Sequence, residues 1–454
     1  MTGLFFDNAL LPQGWARNVR LSIETGRIVS LQSESTPAPD DERHCLGLPG
    51  LCNLHSHAFQ RGMAGLAEIR STTADNFWTW RELMYRFVAR MTPDDIEAIA
   101  AQAYVDMLES GFTRVGEFHY VHHDVSGAPY RDIAELASRI VAASRATGIA
   151  LTLLPVFYAH AGFGGRAPEP LQRRFINDVD GFARLMEESR RLLSGDPAAV
   201  IGIAPHSLRA VTPDELAAIL PLAERGPIHI HVSEQTAEVE DCLAWSGARP
   251  VQWLLDHAPV DERWCLIHAT HTTADELRRM AEAGAIAGLC PMTEANLGDG
   301  IFDARTYLAH GGRFGVGTDS NILIGPADEL RQLEYAQRLL RRERNVVATE
   351  LSVSTGRALY DRALAGGASA LGLEPAGLIE GAMADIISLD AGHIALAGRS
   401  GDAVIDSWIF AGGRAALVDC VWTGGRKVVT NGRHRDRDAI ASRFRRRREG
   451  LLAA

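Results

Sequence analysis

The chain carries a single lysine, Lys427, and arginine supplies nearly all of its other positive charge. That scarcity removes a P-loop lysine and any Schiff-base or carbamylated lysine before residue 427. The six cysteines, at 45, 52, 242, 265, 290 and 420, form no C-x-x-C pair. Zinc-finger and dithiol redox motifs are thereby excluded, and buried free thiols are expected. No run of about 18 apolar residues occurs, so no membrane span is expected. The first residues, Met1 to Asp7, lack a basic segment followed by a long apolar one. The expectation is no signal peptide and a cytoplasmic protein. A formal net charge of −11 argues against a nucleic-acid partner.

What remains is ordinary for a soluble globular protein: 454 residues, 46% hydrophobic and 23% charged. That length suggests one large domain and a smaller one. Residues 1–46 read as short strands with turns (Leu4–Phe6, Val19–Ile23, Arg27–Leu31), with Thr25-Gly26 as a hairpin signal. From residue 47, apolar runs alternate with helical stretches. The strand candidates are 48–54, 113–119, 150–157, 200–205, 227–233, 263–268, 285–290 and 313–318. Helices start at Thr92-Pro93, Thr212-Pro213 and Thr273-Ala274, each with an N-cap threonine and early acids, and glycines 111, 226 and 284 stop them. Strand–helix alternation of this kind over 47–374 predicts an α/β fold, a (β/α)8 barrel, with a doubly wound open sheet as the alternative. Two long loops, 59–90 and 158–177, are expected to shape the site. Strand signal returns at 385–389, 407–410, 416–422 and 427–429. With residues 1–46, the segment 375–435 is expected to form a small β-sandwich domain from both chain ends. Residues 436–454 read as an arginine-rich helix with a solvated face.

The organising stretch is Leu48 to His57, an apolar run ending in His55-Ser56-His57. Residues i and i+2 of a strand share a face, so two imidazoles there can bind one metal ion. In a barrel, the C-terminal strand ends converge on one face. The other ends read Glu117-Phe118-His119-Tyr120, Pro205-His206-Ser207-Leu208-Arg209, His229-Ile230-His231-Val232-Ser233-Glu234, Leu266-Ile267-His268 and Gly317-Thr318-Asp319. His55, His57, His231 and Asp319 form a His3Asp ligand set with an open position. Such a set suits one Zn²⁺, with Fe²⁺ as the alternative, and would bring bound water towards a pKa of about 7. His229 shares parity with His231 and competes for the ligand role. His231 is preferred because it lies nearer the strand end, three residues before Glu234. Glu234 is the candidate proton shuttle. His268 and Asp319 are expected to assist the attacking water.

This order of strand-end residues resembles the amidohydrolase superfamily. The resemblance covers essentially the whole chain. Binuclear members are characterised by a carbamylated lysine on strand 4; here that strand ends in His206, so the chain resembles the mononuclear deaminase branch. Asn53 to Gly62, Gly116 to Tyr120, Ala204 to Arg209 and Cys290 to Gly300 are similar to the formimidoylglutamate deiminases of histidine degradation. That likeness implies hydrolysis of N-formimidoyl-L-glutamate to N-formyl-L-glutamate and ammonia. It also implies Gln60, Tyr120 and His206 as substrate contacts and a homodimer. The residues agree on substrate: Arg209 at a strand end and Arg81 on the first long loop offer two guanidinium forks for two carboxylates. The alternatives are a deaminase of purines or other aromatic rings, and an inactive barrel serving as a binding module.

Overall fold

The computed structural model describes residues 2–70, 75–350, 352–373, 375–412 and 417–453. Both chain ends meet in one eight-stranded sheet. Thr2–Leu11 pairs antiparallel with Gly14–Glu24 and parallel with Glu42–Pro49. Glu42–Pro49 in turn pairs antiparallel with Ile386–Leu389, and Val418–Thr423, Arg426–Thr430 and Arg433–His434 extend the sheet. Its core holds Phe6, Leu21, Ile386 and Trp422. The stretch Ser407–Phe410, expected as a strand, lies instead in the helix Asp402–Ala411. Its buried residues Val404, Ile405, Trp408 and Ile409 recur at helical spacing, and this overrides the β-rich composition of Trp408 to Phe410. Ala416, first residue of another expected strand, and residue 374 at the expected domain boundary lie outside the described residues.

Glu42–Pro49 runs through Gly50 directly into Leu51–Ser56, the first strand of the α/β unit. Gly50 is required by close approach, since a Cβ there would run into the Thr113 side chain. Leu51–Ser56, Phe112–His119, Ala150–Phe157 and Val200–Ile201 form one parallel sheet. The fourth strand is broken: Ala204–Pro205 pairs separately with the third. Ile228–Val232, Trp264–His268, Ile286–Leu289 and Arg313–Val316 form a second parallel sheet. Isolated parallel bridges join the two sheets at Ile203–Ile228 and Ser207–His231 on one side and at Ser56–Asp319 on the other. There Thr318 and Asp319 donate backbone N–H groups to the His55 carbonyl, each at 3.0 Å. Gly317 permits this approach, because a Cβ would clash with the His55 backbone.

Helices Pro93–Ser110, Pro213–Ile219 and Ala274–Glu282 open with capping boxes at Thr92, Thr212 and Thr273. Inside the strands, Cys52, Leu54, Cys265, Ile267 and Ile286 pack against Ala370 and Leu371, at the end of helix Thr355–Ala370. The arginine-rich segment is the helix Arg437–Ala453. It is docked on Pro93–Ser110 through Arg443–Glu97 at 2.5 Å and Arg447–Asp94 at 2.6 Å, so only part of its basic face is solvated. No helix among the described residues is long and apolar enough to cross a membrane.

Candidate active site

Four of the predicted residues converge where the strands end. His55 Nε2 lies 3.2 Å from His57 Nε2 and 3.2 Å from His231 Nε2. Asp319 Oδ1 lies 3.5 Å from His55 Nε2 and 3.2 Å from His57 Nε2. A tetrahedron of ligands about 2.0–2.1 Å from one ion has edges of roughly 3.3 Å. These four donors therefore fit a single small divalent cation. His57 Nδ1 donates to the Phe118 carbonyl at 3.0 Å, and His231 Nδ1 to the His206 carbonyl at 2.9 Å. Those bonds fix the tautomers of His57 and His231 and turn their Nε2 lone pairs inward, where a cation would satisfy them. Burial pushes His55 down to about 3 and lowers His57 and His231 as well, so the imidazoles are neutral ligands. Against burial, contacts with His55, His57 and His268 hold Asp319 below the usual carboxylate range. His229, the competing candidate, donates Nε2–H to the Ala370 carbonyl at 2.7 Å, deeper among the strands and away from this cluster.

His268 Nε2 lies 3.7 Å from Glu234 Oε1 and 3.8 Å from Asp319 Oδ2. Burial works against its charged form, but Glu234, Glu294 and Asp319 outweigh burial and raise it to about 10. Burial raises the Glu234 carboxyl, while His268 and Arg209 pull it back. Ser233, His268 and Asp319 all have left-handed backbone, with φ of 52°, 68° and 44°. Strained non-glycine residues at three strand ends mark a site whose geometry the surrounding fold imposes.

A cavity opens above the four ligands. Gln60, Arg81, Tyr120, His206, Arg209, Glu234, His268, His57, His231 and Asp319 line it, and His55 lies buried beneath. Gln60 Nε2 donates to the Tyr120 hydroxyl at 2.9 Å. The helix Phe77–Val88, inside the first long loop, brings Arg81 into the wall. Residues 71–74 of that loop lie outside the described residues. The guanidinium carbons of Arg81 and Arg209 lie 4.7 and 5.8 Å from the Trp78 ring centre, so the two cations flank one indole. Arg209 Nη2 sits 3.9 Å from both Glu234 Oε2 and Glu238 Oε2, and its Nε has no hydrogen-bond partner among the described residues.

Tyr85, Tyr158 and Phe175, which no sequence signal singles out, also line the wall, beside Phe77, Trp80, Met84 and Leu297. Gln172 donates to the hydroxyls of Tyr158 at 2.8 Å and Tyr85 at 3.3 Å, tying the two long loops together. Tyr158 follows strand three directly, and a tyrosine there has no metal-ligand signature to single it out. Sequence reasoning also passed over Glu294, which accepts from His268 Nδ1 at 3.3 Å.

Comparison with known proteins follows the same division of the chain. The model of the amidohydrolase family matches residues 47–428, and that of the N-terminal domain of formimidoylglutamate deiminase HutF matches residues 1–45. A formimidoylglutamate deiminase from Pseudomonas aeruginosa is 51% identical over 448 residues, 98% of each chain. The crystal structure of an amidohydrolase from Brucella melitensis is 57% identical and covers 100% of both chains with a TM-score of 0.97. An adenosine deaminase from Xanthomonas campestris, 20% identical with a TM-score of 0.80 over 100% of this chain and 99% of its own, shares the fold.

Proposed function

The chain belongs to the amidohydrolase family, and from that premise we propose that it hydrolyses N-formimidoyl-L-glutamate to N-formyl-L-glutamate and ammonia. The observation that carries this reading is one cavity that holds a His3Asp cluster, a buried carboxyl and two arginines. The scaffold we read for it is a closed (β/α)8 barrel over 47–374, with residues 1–46 and 375–435 as a small β-sandwich domain. The bridges at Ser207–His231 and Ser56–Asp319 support closure.

His55, His57, His231 and Asp319 would hold the cation, Zn²⁺ in our reading, with Fe²⁺ as the alternative. When bound, such an ion supplies Lewis-acid activation of a water. Arg209 and Arg81 bind the substrate carboxylates; Gln60, Tyr120 and His206 orient the formimidoyl group. His268 Nε2–H and the Asp319 carboxylate orient the attacking water over the formimidoyl carbon. Glu234 takes one proton as the new C–O bond forms and delivers it to the departing nitrogen. Because the formimidoyl group enters as an amidinium, already carrying the second proton, the departing nitrogen becomes –NH3⁺; the C–N bond then breaks, ammonia leaves, and the added hydroxyl loses its proton to Asp319 as the formyl carbonyl forms.

Ammonia release from a panel of formimidoyl amino acids and aminopurines tests the substrate. Turnover of formimidoylglutamate is expected; turnover of guanine in its place would overturn the reading. Elemental analysis should find one ion per chain. His268, Cys290 and Asp319 also cluster, but no lysine before residue 427 can bridge a second ion. Two bridged ions would refute the single-ion site.

A further inference from the structure

The stretch Cys290 to Gly300 supplies no ligand and no substrate contact in the mechanism above, yet it touches the residues that do. Pro291–Leu297 is a short helix following strand Ile286–Leu289. Thr293 Oγ1 donates to the Thr318 carbonyl at 3.2 Å and lies 3.0 Å from Ser320 Oγ, gripping both neighbours of Asp319. Its next residue, Glu294, is buried and reaches His268.

We propose that Glu294 is the positioning residue for His268, fixing the ring so that Nε2 points between Glu234 and Asp319. One oxygen does this. Glu294 Oε1 accepts the Cys290 backbone N–H at 2.9 Å and His268 Nδ1–H at 3.3 Å. The backbone bond pins the oxygen, and the pinned oxygen holds Nδ1–H and with it the tilt of the imidazole. His268 needs such a tether. Its backbone is left-handed at φ 68°, and its Nε2 has no hydrogen-bond partner of its own among the described residues. Without Glu294, no other side chain among the described residues would hold Nδ1–H, and the ring could swing Nε2–H away from the water.

Two substitutions separate reach from charge. Glu294→Gln keeps the side-chain length, and the Cys290 N–H still selects the amide oxygen, so the acceptor for His268 stays in place without its charge. Glu294→Asp keeps the charge but withdraws the oxygen by one methylene. Positioning predicts that the Gln variant stays within a few fold of the parent in kcat. The Asp variant should fall about tenfold, with KM and metal content unchanged. The opposite order would overturn the proposal in favour of a charge effect. Glu329→Gln is the structural control. Glu329 accepts the Met292 N–H of the same helix at 2.9 Å and does not contact His268. Loss of kcat equal to that of Glu294→Asp would assign both residues to helix stability alone and overturn the proposal. The inference rests on His268 acting at the reacting atoms, so His268→Gln is assayed alongside. Parental kcat in that variant would defeat the catalytic reading itself; a reversed Gln/Asp order beside an inactive His268→Gln defeats only the role of Glu294.

Discussion

Glu234→Gln is expected to lower kcat by about 10²–10⁴-fold with the bound metal retained. The amide keeps the shape of the side chain and can still meet Arg209, but it cannot accept a proton from water and return it to nitrogen. Retention of metal follows from the geometry, because the converging donor atoms come from His55, His57, His231 and Asp319. The pH profile supplies an independent check. Burial raises the Glu234 carboxyl above its unperturbed value, and its role as base requires the ionised form. Activity should therefore fall as pH drops through that raised value, placing the acid limb of kcat/KM above the ordinary carboxylate range near 4.3. The limb should vanish in the Gln variant. Activity within tenfold of the parent, or loss of metal on substitution, would remove Glu234 from the proton-transfer role.

The same geometry explains which parts of this site could be read from the chain alone. Metal ligation and proton transfer draw on few residue types, and at strand ends His55, His57, His231, Glu234, His268 and Asp319 were visible from spacing. The choice between His229 and His231 was open in the sequence, since both share a face; the structure separates them by depth, giving His229 to the Ala370 carbonyl. Strand three looked silent, and the stretch after strand seven carried a likeness but no residue role, because they contribute through Tyr158 and Glu294, residue types that occur everywhere in folded proteins. Glu294 also acts through His268, 26 positions away in the chain, a contact created by the parallel pairing of Trp264–His268 with Ile286–Leu289. The helix Asp402–Ala411 was misread for the opposite reason: a short β-prone composition hid a helical pattern of buried positions. The acidic partners of the C-terminal arginines, Glu97 and Asp94, lie some 350 residues upstream and could not be paired with them before the fold was known.

Arg209→Met should cost about 1.5–3 kcal/mol, roughly one to two decades in kcat/KM on formimidoylglutamate, because a substrate carboxylate loses a charge-assisted partner. The structure adds a second consequence. Arg209 Nη2 lies 3.9 Å from both Glu234 and Glu238, and its charge lowers the Glu234 carboxyl. Removing the guanidinium would let burial and the nearby Asp319 and Glu238 raise Glu234 further. An ionised base is then available only at higher pH, so the acid limb of kcat/KM should move upward. The two effects separate by substrate. Carboxylate recognition predicts a larger loss on formimidoylglutamate than on a formimidoyl derivative of an amino acid with one carboxylate. The pH shift should be the same for both, since it belongs to the enzyme. If the loss proved equal on both substrates at every pH, Arg209 would act through Glu234 alone. Recognition of the second carboxylate would then fall to Arg81, which shares the Trp78 ring with it.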